Sequence, residues 1–450
     1  MDRLRIIGQQ KLAGTLPIEG AKNALLLQMA ASLLTTESLV LQNVPCLADT
    51  QSMILLLEHL GAKVLKNKAF LKTNAVTSSP MALKQLELKA EELTTVTAPY
   101  HIVRKMRASI VTLGPLLARY GEAKVSMPGG CAIGIRPIDL HLKGLEALGA
   151  QLTLEEGYIQ ATAPKGLVGA DYTFAKTSVT GTANLLMAAT LAKGTTVLKG
   201  AALEPEIDDL ALCLQKMGAR ISGVGTSTLT IEGATSLKGA VHQTLPDRVE
   251  MGTYMLAAAI TGSQLFLEKA RLDLLPTFKE MLEEMGVTLQ QRPDGVFVSS
   301  PQPQHMKKRG VTTAPYPGFP TDLQAQMMAL LTLVPGKSTV TETIFENRFM
   351  HIAELHRMGA SITIEHNAAH VEGVRQLKGA PLMATDIRAS ACLVLAALAA
   401  VGESTIQRIY HLDRGYSHLH QKLKACGANI ERLGDSEAAP AVSAEKQLSQ

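Results

Sequence analysis

The chain has 450 residues, more than one hydrophobic core ordinarily serves, so we expect two domains. Apolar residues make up 46% and charged residues 19%, as in an ordinary globular protein. The net charge of +4 is too small for a nucleic-acid binder, and aromatic residues, at 4%, are too scarce for base stacking. This balance suits an enzyme with small anionic ligands.

The cysteines and the apolar segments indicate the cellular compartment of the protein. The five cysteines are odd in number and far apart, with no CxxC pair, which predicts reduced thiols and a cytoplasmic protein. The first ten residues lack the apolar stretch of a signal peptide. The longest apolar run, Ala391–Val401, is far shorter than the ~20 residues of a membrane span, and we expect a buried helix there. Residues 434–450 are rich in Ser, Ala, Glu and Gln and are expected to form a disordered tail.

A pattern of amphipathic stretch, glycine and alternating residues recurs six times. It predicts a helix that ends at a left-handed glycine and leads into a strand. The glycines are separated by 88, 69, 68, 73 and 68 residues and are Gly61, Gly149, Gly218, Gly286, Gly359 and Gly427. In five units another helix end is predicted 23 to 28 residues upstream, near Gly121, Gly194, Gly262, Gly336 or Gly402. We therefore predict an α/β fold of six β-α-β-α-β-β units, three in each of two domains.

The second unit is about 20 residues longer than the others. We expect the excess near the glycine-rich segment Met127–Pro137, because a surface loop tolerates insertion and often carries function.

In chain order, the first candidate site lies where a strand-like segment meets a helix-like one, at Lys22 and Asn23. A helix start offers free N–H groups, and a lysine placed there completes an anion site. A lysine that simply points into solvent is the alternative.

Four arginines lie in segments where a charged side chain is not expected to be simply exposed. Arg107 and Arg388 each head an apolar stretch, in MRAS and IRAS, and Arg348 and Arg414 lie in FENRFMH and DRGY. A buried arginine needs either a carboxylate partner or an anionic ligand. Asp386 is close to Arg388 in the sequence, so a structural ion pair between these two residues is an alternative to ligand binding.

The segment Met127–Pro137 contains three glycines and two prolines around Cys131 and Arg136, so it can be neither an ordinary helix nor a strand. A thiol beside a guanidinium gains thiolate character, which suits nucleophilic or acid–base chemistry. A surface turn with an incidental cysteine is the alternative. The other four cysteines, Cys46, Cys213, Cys392 and Cys426, are expected to be structural.

Asp322 follows a proline-rich segment, and its local sequence favours a helix cap over a catalytic role. Asp247 and Arg248 lie where the third unit ends and are expected to belong to a crossing between domains. The chain contains no Walker A, GxGxxG or HExxH motif, and its 12 histidines show no metal-ligand spacing, so we expect neither metal nor cofactor.

Taken together, these segments resemble the UDP-N-acetylglucosamine 1-carboxyvinyltransferase family. The resemblance runs in order from about residue 3 to residue 433, and the cysteine loop with FPTD and FENRFMH is its most specific part. The matching segments are GAKNA (20–24), MRAS (106–109), PGGCAIGIRPIDLH (128–141), SVTGT (178–182), LPDR (245–248), FPTDLQAQ (319–326), FENRFMH (345–351), ATDIRAS (384–390) and DRGY (413–416).

The resemblance implies a two-domain inside-out α/β barrel with three βαβαββ repeats in each domain. One domain would span residues 22–246, and the other residues 1–21 with 247–433. Substrates would bind in the cleft between them, with the cysteine loop as a lid.

The implied reaction joins phosphoenolpyruvate to the 3′-hydroxyl of UDP-N-acetylglucosamine and releases phosphate, at the start of peptidoglycan precursor synthesis. Cys131 would protonate C3 of phosphoenolpyruvate, and fosfomycin would alkylate this thiol. Asp322 would accept the hydroxyl proton. Phosphate and carboxylate would be held by Lys22, Arg107, Arg136 and Arg414. Sugar and intermediate would be positioned by Asn23, Arg348, Asp386 and Arg388, with Ile344 as a further substrate-binding residue. The uridine-diphosphate pocket would be lined by Pro137, Ile138, Asp139, Leu140, Lys176, Ser178, Val179 and Gly181.

Two departures from the family pattern stand out. Ala183 replaces an acidic residue, and Leu203 replaces an arginine. They are either one lost surface ion pair or a change at the nucleotide-sugar. The alternatives to this function are 3-phosphoshikimate 1-carboxyvinyltransferase, a weakly active paralogue that binds UDP-sugars and regulates, and a nucleic-acid-processing relative. No membrane insertion is expected, and the oligomeric state stays open.

Overall fold

The structure, a computed structural model, describes residues 2–67, 84–127 and 138–434 and has the predicted α/β fold. Over these residues it forms six four-stranded sheets. In the order of neighbouring strands, the sheets are Ala240–Gln243, Ser38–Gln42, Gln85–Lys89 and Lys63–Lys66; Thr97–Ala98, Glu122–Ser126, Tyr158–Thr162 and Gln151–Glu155; Asp171–Thr173, Thr195–Lys199, Thr228–Glu232 and Arg220–Ser222; Ala13–Pro17, Gln264–Glu268, Gly295–Ser299 and Thr288–Arg292; Val311–Thr312, Lys337–Thr341, Ala368–Glu372 and Ser361–Glu365; Pro381–Met383, Glu403–Gln407, Arg3–Ile7 and Asn429–Leu433.

All six sheets share one pairing pattern. The first two strands run parallel, and the other two neighbouring pairs are antiparallel. In three sheets a strand comes from a distant part of the chain: Ala240–Gln243 pairs with Ser38–Gln42, Ala13–Pro17 pairs with Gln264–Glu268, and Arg3–Ile7 pairs with Glu403–Gln407 and Asn429–Leu433. The ends of each half are thereby tied together.

The helices alternate with these strands. Among the described residues, the α-helices are Lys22–Ala31, Ala48–Leu60, Tyr100–Val103, Leu113–Tyr120, Asp139–Ala147, Val179–Ala189, Pro205–Lys216, Arg248–Thr261, Pro276–Met285, Gln324–Leu331, Ile352–Arg357, Ile387–Ala399 and Leu419–Ala425. Short 3₁₀ helices are Ser32–Leu34, Arg107–Thr112, Leu272–Leu274, Pro303–His305, Thr321–Leu323 and Ile409–Arg414.

The glycine pattern has the predicted geometry. All six glycines of the repeat have φ between 90° and 108°, and each follows a helix and precedes a strand. The five upstream glycines also have positive φ, between 57° and 97°. A side chain at these positions would force an L-residue into the left-handed region, which explains why glycine recurs there.

The excess length of the second unit lies elsewhere than expected. Between the strands Lys63–Lys66 and Gln85–Lys89 the connection comprises residues 67–84, whereas the equivalent connection of the next hairpin is residues 156–157. The hairpin therefore accounts for most of the extra length, and placing all of it near Met127–Pro137 was wrong. A hairpin connection can lengthen without disturbing either strand, because the entropy cost of a loop grows slowly with its length.

Two hydrophobic cores divide the described residues. One contains side chains from Leu25 to Leu237, and the other contains Leu4 to Ile18 together with Val249 to Ile430. The chain passes between them twice, at residues 19–22 and 245–249. The two passing segments run side by side: Gly20 bridges Pro246, the Ala21 N–H donates to the Leu245 carbonyl, and the Asp247 N–H donates to that of Glu19.

The core that contains Val249 to Ile430 includes helices that are buried on nearly all sides. Arg248–Thr261 and Gln324–Leu331 are buried at every position, and Ile387–Ala399, which holds most of the long apolar run, is buried at all but its two ends. Helices apolar around their whole circumference need such an environment. No helix of the described segments is long and apolar enough to cross a membrane.

Candidate active site

A cavity of about 600 Å³ lies between the two cores. Its wall contains the first residues of buried helices from both sides. Lys22, Arg107 and Val179 come from the first core's half, and Arg248, Asp322 and Arg388 from the other. Helix starts carry a partial positive charge and free N–H groups, so their convergence favours anionic ligands in this cavity.

Two of these helices are capped by acidic side chains. Asp247 Oδ1 accepts from the Val249 and Glu250 N–H groups, and Asp386 Oδ1 accepts from those of Arg388 and Ala389. Asp386 therefore caps the helix that contains Arg388. It does not form an ion pair with the Arg388 guanidinium, which was the alternative that the sequence left open. Its Oδ1 lies 4.0 Å from Arg348 Nη1.

Asp49 links two of the predicted phosphate-binding residues. Its Oδ2 lies 3.2 Å from Lys22 Nζ, and its Oδ1 accepts from Arg414 Nε at 2.9 Å, across the boundary between the halves. Burial would raise the pKa of Asp49, but the charges of Lys22 and Arg414 outweigh it and lower that pKa. Sequence reasoning missed Asp49, because it lies in the first turn of Ala48–Leu60 and its two partners are distant in the chain.

Asp322 is held by two arginines. Arg348 Nη2 lies 2.5 Å from its Oδ1, and Arg388 Nη2 lies 3.1 Å from its Oδ2. Burial would raise the pKa of Asp322, yet the two guanidinium charges lower it strongly, so the group is a carboxylate at neutral pH. Its side chain caps neither Thr321–Leu323 nor the helix that follows, and the expectation of a helix cap was wrong.

A third buried pair was also missed. Arg248 donates to both oxygens of Glu206, at 2.9 and 3.1 Å, and the guanidinium lies over the Tyr316 ring. Burial raises the pKa of neighbouring Glu204, whose Oε2 has no hydrogen-bond partner in the described part of the chain. Arg248 lies in the segment that passes between the two cores, and it also faces the cavity.

Most predicted site residues line this one cavity. They are Lys22, Asn23, Arg107, Ile138, Lys176, Val179, Asp322, Ile344, Arg348, Asp386, Arg388 and Arg414.

Four others do not line it. The Ser178 hydroxyl accepts from the Gly181 N–H at the start of their helix, Asp139 lies 3.9 Å from Lys143, and the Leu140 carbonyl accepts from the Tyr172 hydroxyl. Cys131, Arg136 and Pro137 lie outside the described residues.

The two departures from the family pattern lie away from the cavity. Ala183 is fully buried in the first core and Leu203 is half-buried, and neither lines the cavity. Because Ala183 has no exposure, the interpretation as a lost surface ion pair does not fit.

The four cysteines among the described residues are buried or half-buried, as expected for structural residues. Burial raises the pKa of the Cys213 thiol to about 12 and that of Cys426 to about 11, and it raises those of Cys46 and Cys392 as well. In the described segments, no group of three or more His, Cys, Asp and Glu residues is arranged to hold a metal ion.

Comparison with known proteins agrees with these observations. The sequence profile of the EPSP synthase (3-phosphoshikimate 1-carboxyvinyltransferase) family matches residues 6–423. The UDP-N-acetylglucosamine 1-carboxyvinyltransferase of Beijerinckia indica is 54% identical over 433 residues, which cover 96% of this chain and 99% of that protein. The chain belongs to the UDP-N-acetylglucosamine 1-carboxyvinyltransferases of the EPSP synthase family. The member from Dinoroseobacter shibae is 55% identical, with 97% and 100% coverage.

Solved structures share the fold at low sequence identity. The enolpyruvyl transferase NikO from Streptomyces tendae has a TM-score of 0.85 at 23% identity, covering 96% of this chain and 98% of its own. An EPSP synthase from Acinetobacter baumannii has a TM-score of 0.73 at 16% identity, with 96% and 100% coverage. The family's arrangement of sheets and helices thus extends to relatives that share few residues with this chain.

A buried histidine beside this site, His351, should make stability depend on pH. Burial lowers the pKa of His351 from 6.5 to about 4. As pH falls from 7 to 5, the unfolded chain therefore takes up a proton that the folded protein does not, and His351 should cost roughly 2 kcal/mol of unfolding free energy. We expect His351→Asn to reduce the shift of the urea midpoint between these pH values. Exposed His305→Gln should leave that shift unchanged, and an unaltered shift in His351→Asn would contradict the assignment.

Proposed function

We propose that the protein transfers the enolpyruvyl group of phosphoenolpyruvate to the 3′-hydroxyl of UDP-N-acetylglucosamine and releases phosphate. The observation that carries this proposal is the identity of more than 50%, over nearly the whole chain, to enzymes of that name. The cavity's cations and helix starts support it, because both substrates are anions.

Phosphoenolpyruvate brings a carboxylate and a phosphate. Lys22 and Arg414 would bind them, with Arg107 and Arg136. Such a set of cations lowers the energy of the charge that develops on phosphate as it leaves, often the largest contribution to catalysis. Asn23, Ile344, Arg348, Asp386 and Arg388 would position sugar and intermediate, and the segments around Ile138 and Val179 would hold the uridine diphosphate.

Proton transfers complete the reaction. The hydroxyl oxygen attacks C2 of phosphoenolpyruvate while C3 takes a proton from Cys131. The tetrahedral intermediate then loses phosphate and returns a C3 proton to the Cys131 thiolate, which restores the C=C double bond. Asp322 would accept the hydroxyl proton. Its two arginines keep it ionised but make it a weak base, so the proton would leave only as the new C–O bond forms.

The two cores would act as two domains, residues 22–246 and residues 1–21 with 247–433, each an inside-out α/β barrel. The cleft would close on its substrates, with the Cys131 loop as a lid. The reaction would take place in the cytoplasm and begin peptidoglycan precursor synthesis. The alternative acceptor, shikimate 3-phosphate, is less favoured, because relatives of that type share only the fold at 16% identity.

Phosphate release from phosphoenolpyruvate tests the function directly. We expect turnover with UDP-N-acetylglucosamine and none with shikimate 3-phosphate. Turnover with shikimate 3-phosphate would replace the proposed acceptor. A folded protein that binds UDP-N-acetylglucosamine but turns over neither acceptor would instead be the regulatory paralogue.

Replacing Asp322 by Asn should lower kcat by about 10²–10⁴-fold, because the proton acceptor is lost. Asp171→Asn is the matched control, since Asp171 forms an exposed pair with Lys199 away from the cavity. Urea midpoints for both variants would separate lost chemistry from lost stability. A kcat within threefold of wild type in Asp322→Asn would remove Asp322 from the mechanism.

Fosfomycin or another thiol-alkylating inhibitor should modify Cys131 and inactivate the enzyme. The remaining cysteines compete poorly, because burial raises the pKa of each thiol. Peptide mass mapping after partial inactivation should find the adduct on Cys131 in proportion to lost activity. Inactivation that leaves Cys131 unmodified would rule out its role.

A further inference from the structure

A chain of hydrogen bonds runs from the first core to the cavity wall. Asn184, which is fully buried, accepts from the Gly114 N–H at 2.6 Å and donates through Nδ2 to the Ile110 carbonyl at 3.3 Å. The same Nδ2 lies 3.0 Å from His141 Nδ1, and His141 Nε2 lies 3.1 Å from the Thr180 hydroxyl oxygen. His141 and Thr180 both line the cavity. Asn184 was not singled out by the sequence, and Thr180 and His141 appeared only within matched segments.

The direction of each bond in this chain is determined. A backbone N–H can only donate and a backbone carbonyl can only accept, so the Asn184 side chain cannot be flipped without two unfavourable contacts. Its Nδ2 must therefore donate to His141 Nδ1, which leaves the imidazole hydrogen on Nε2. Burial and the charge of Arg107 lower the pKa of His141 to about 4, so the ring is neutral at pH 7 and has this single N–H. His141 consequently donates to Thr180.

The hydrogen bond from His141 determines whether the Thr180 hydroxyl acts as donor or acceptor toward the cavity. Its oxygen already accepts from His141, and the hydroxyl hydrogen has no acceptor in the described part of the chain. The half-buried hydroxyl is therefore a donor at the edge of the cavity. Lys176 lines the same cavity and has neither a hydrogen bond nor an ion pair with any described residue. The Thr180 hydroxyl and the Lys176 ammonium group thus face the same cavity. Together they suit a ligand oxygen that carries negative charge and can only accept hydrogen bonds.

We propose that the Thr180 hydroxyl donates a hydrogen bond to a phosphoryl oxygen of the nucleotide-sugar. His141 and Asn184 are positioning residues that hold this hydroxyl as a donor. The inference rests on the proposed function and deepens it, because it assigns a binding residue and its supporting chain to the diphosphate of that substrate.

The first test compares Thr180→Val with Thr180→Ser. The valine keeps the shape and loses the hydroxyl, so KM for UDP-N-acetylglucosamine should rise about 10- to 100-fold, while kcat and KM for phosphoenolpyruvate stay within about twofold. Calorimetric binding of UDP without the sugar should weaken by a similar factor. The serine should bind within about threefold of wild type. Thr173→Val, in an exposed strand away from the cavity, is the matched control.

The second test measures coupling. His141→Phe removes the donor to Thr180 and should raise the same KM. The double variant with Thr180→Val should be no weaker than Thr180→Val alone, because both changes remove one interaction. Effects that multiply would show that His141 acts independently of Thr180 and would overturn the positioning role.

Other results would contradict the proposal itself. Unchanged binding of UDP by Thr180→Val, an equal loss in Thr180→Ser, or a rise in KM for phosphoenolpyruvate alone would each overturn it and leave the proposed function intact. A wild-type protein that binds neither UDP nor UDP-N-acetylglucosamine would overturn the proposed function and this inference together.

Discussion

The site depends on one constraint: buried helices of both cores begin at the same cavity. Each start leaves N–H groups that need partners, and side chains such as Asp247 and Asp386 supply some of them. The paired crossing segments at residues 19–22 and 245–249 fix where the first helix of each half begins. Lys22 and Arg248 thus owe their positions to the connection between the halves as much as to their own helices. An anion-binding cavity follows from the topology.

Cations at such a cavity need counterions when no ligand is bound. Asp49, Asp322 and Glu206 fill this role, and between them they hold Lys22, Arg414, Arg348, Arg388 and Arg248. Removing one carboxylate would leave a buried charge without a partner, which typically costs about 3–5 kcal/mol. These carboxylates therefore belong to the stability of the cleft as well as to its chemistry. Because Asp49 and Arg414 lie in opposite halves, their ion pair also links the two cores.

The sequence predicted the parts of the structure that depend on local backbone chemistry. Gly61 and its five counterparts could be found because a left-handed residue at a helix end selects glycine whatever surrounds it. Asp322 was found only through resemblance to a family, since its neighbours suggested a helix cap. Asp49 and Glu206 were missed because their partners lie hundreds or tens of residues away, and no local pattern records such a pair. The long hairpin connection at 67–84 was misplaced for a similar reason, because interval lengths do not say where within a unit the extra residues lie.

The hydrogen-bond chain to Thr180 shows how a core can determine the behaviour of a site. Gly114 begins it, and an added Cβ there would lie 2.4 Å from the Asn184 carbonyl oxygen and 2.5 Å from its side-chain oxygen, so the two helices can approach this closely only at glycine. That approach brings the Gly114 N–H to Asn184, which fixes the amide, then the imidazole and finally the hydroxyl. The close packing of two helices at Gly114 therefore determines, through Asn184 and His141, that the Thr180 hydroxyl faces the cavity as a donor.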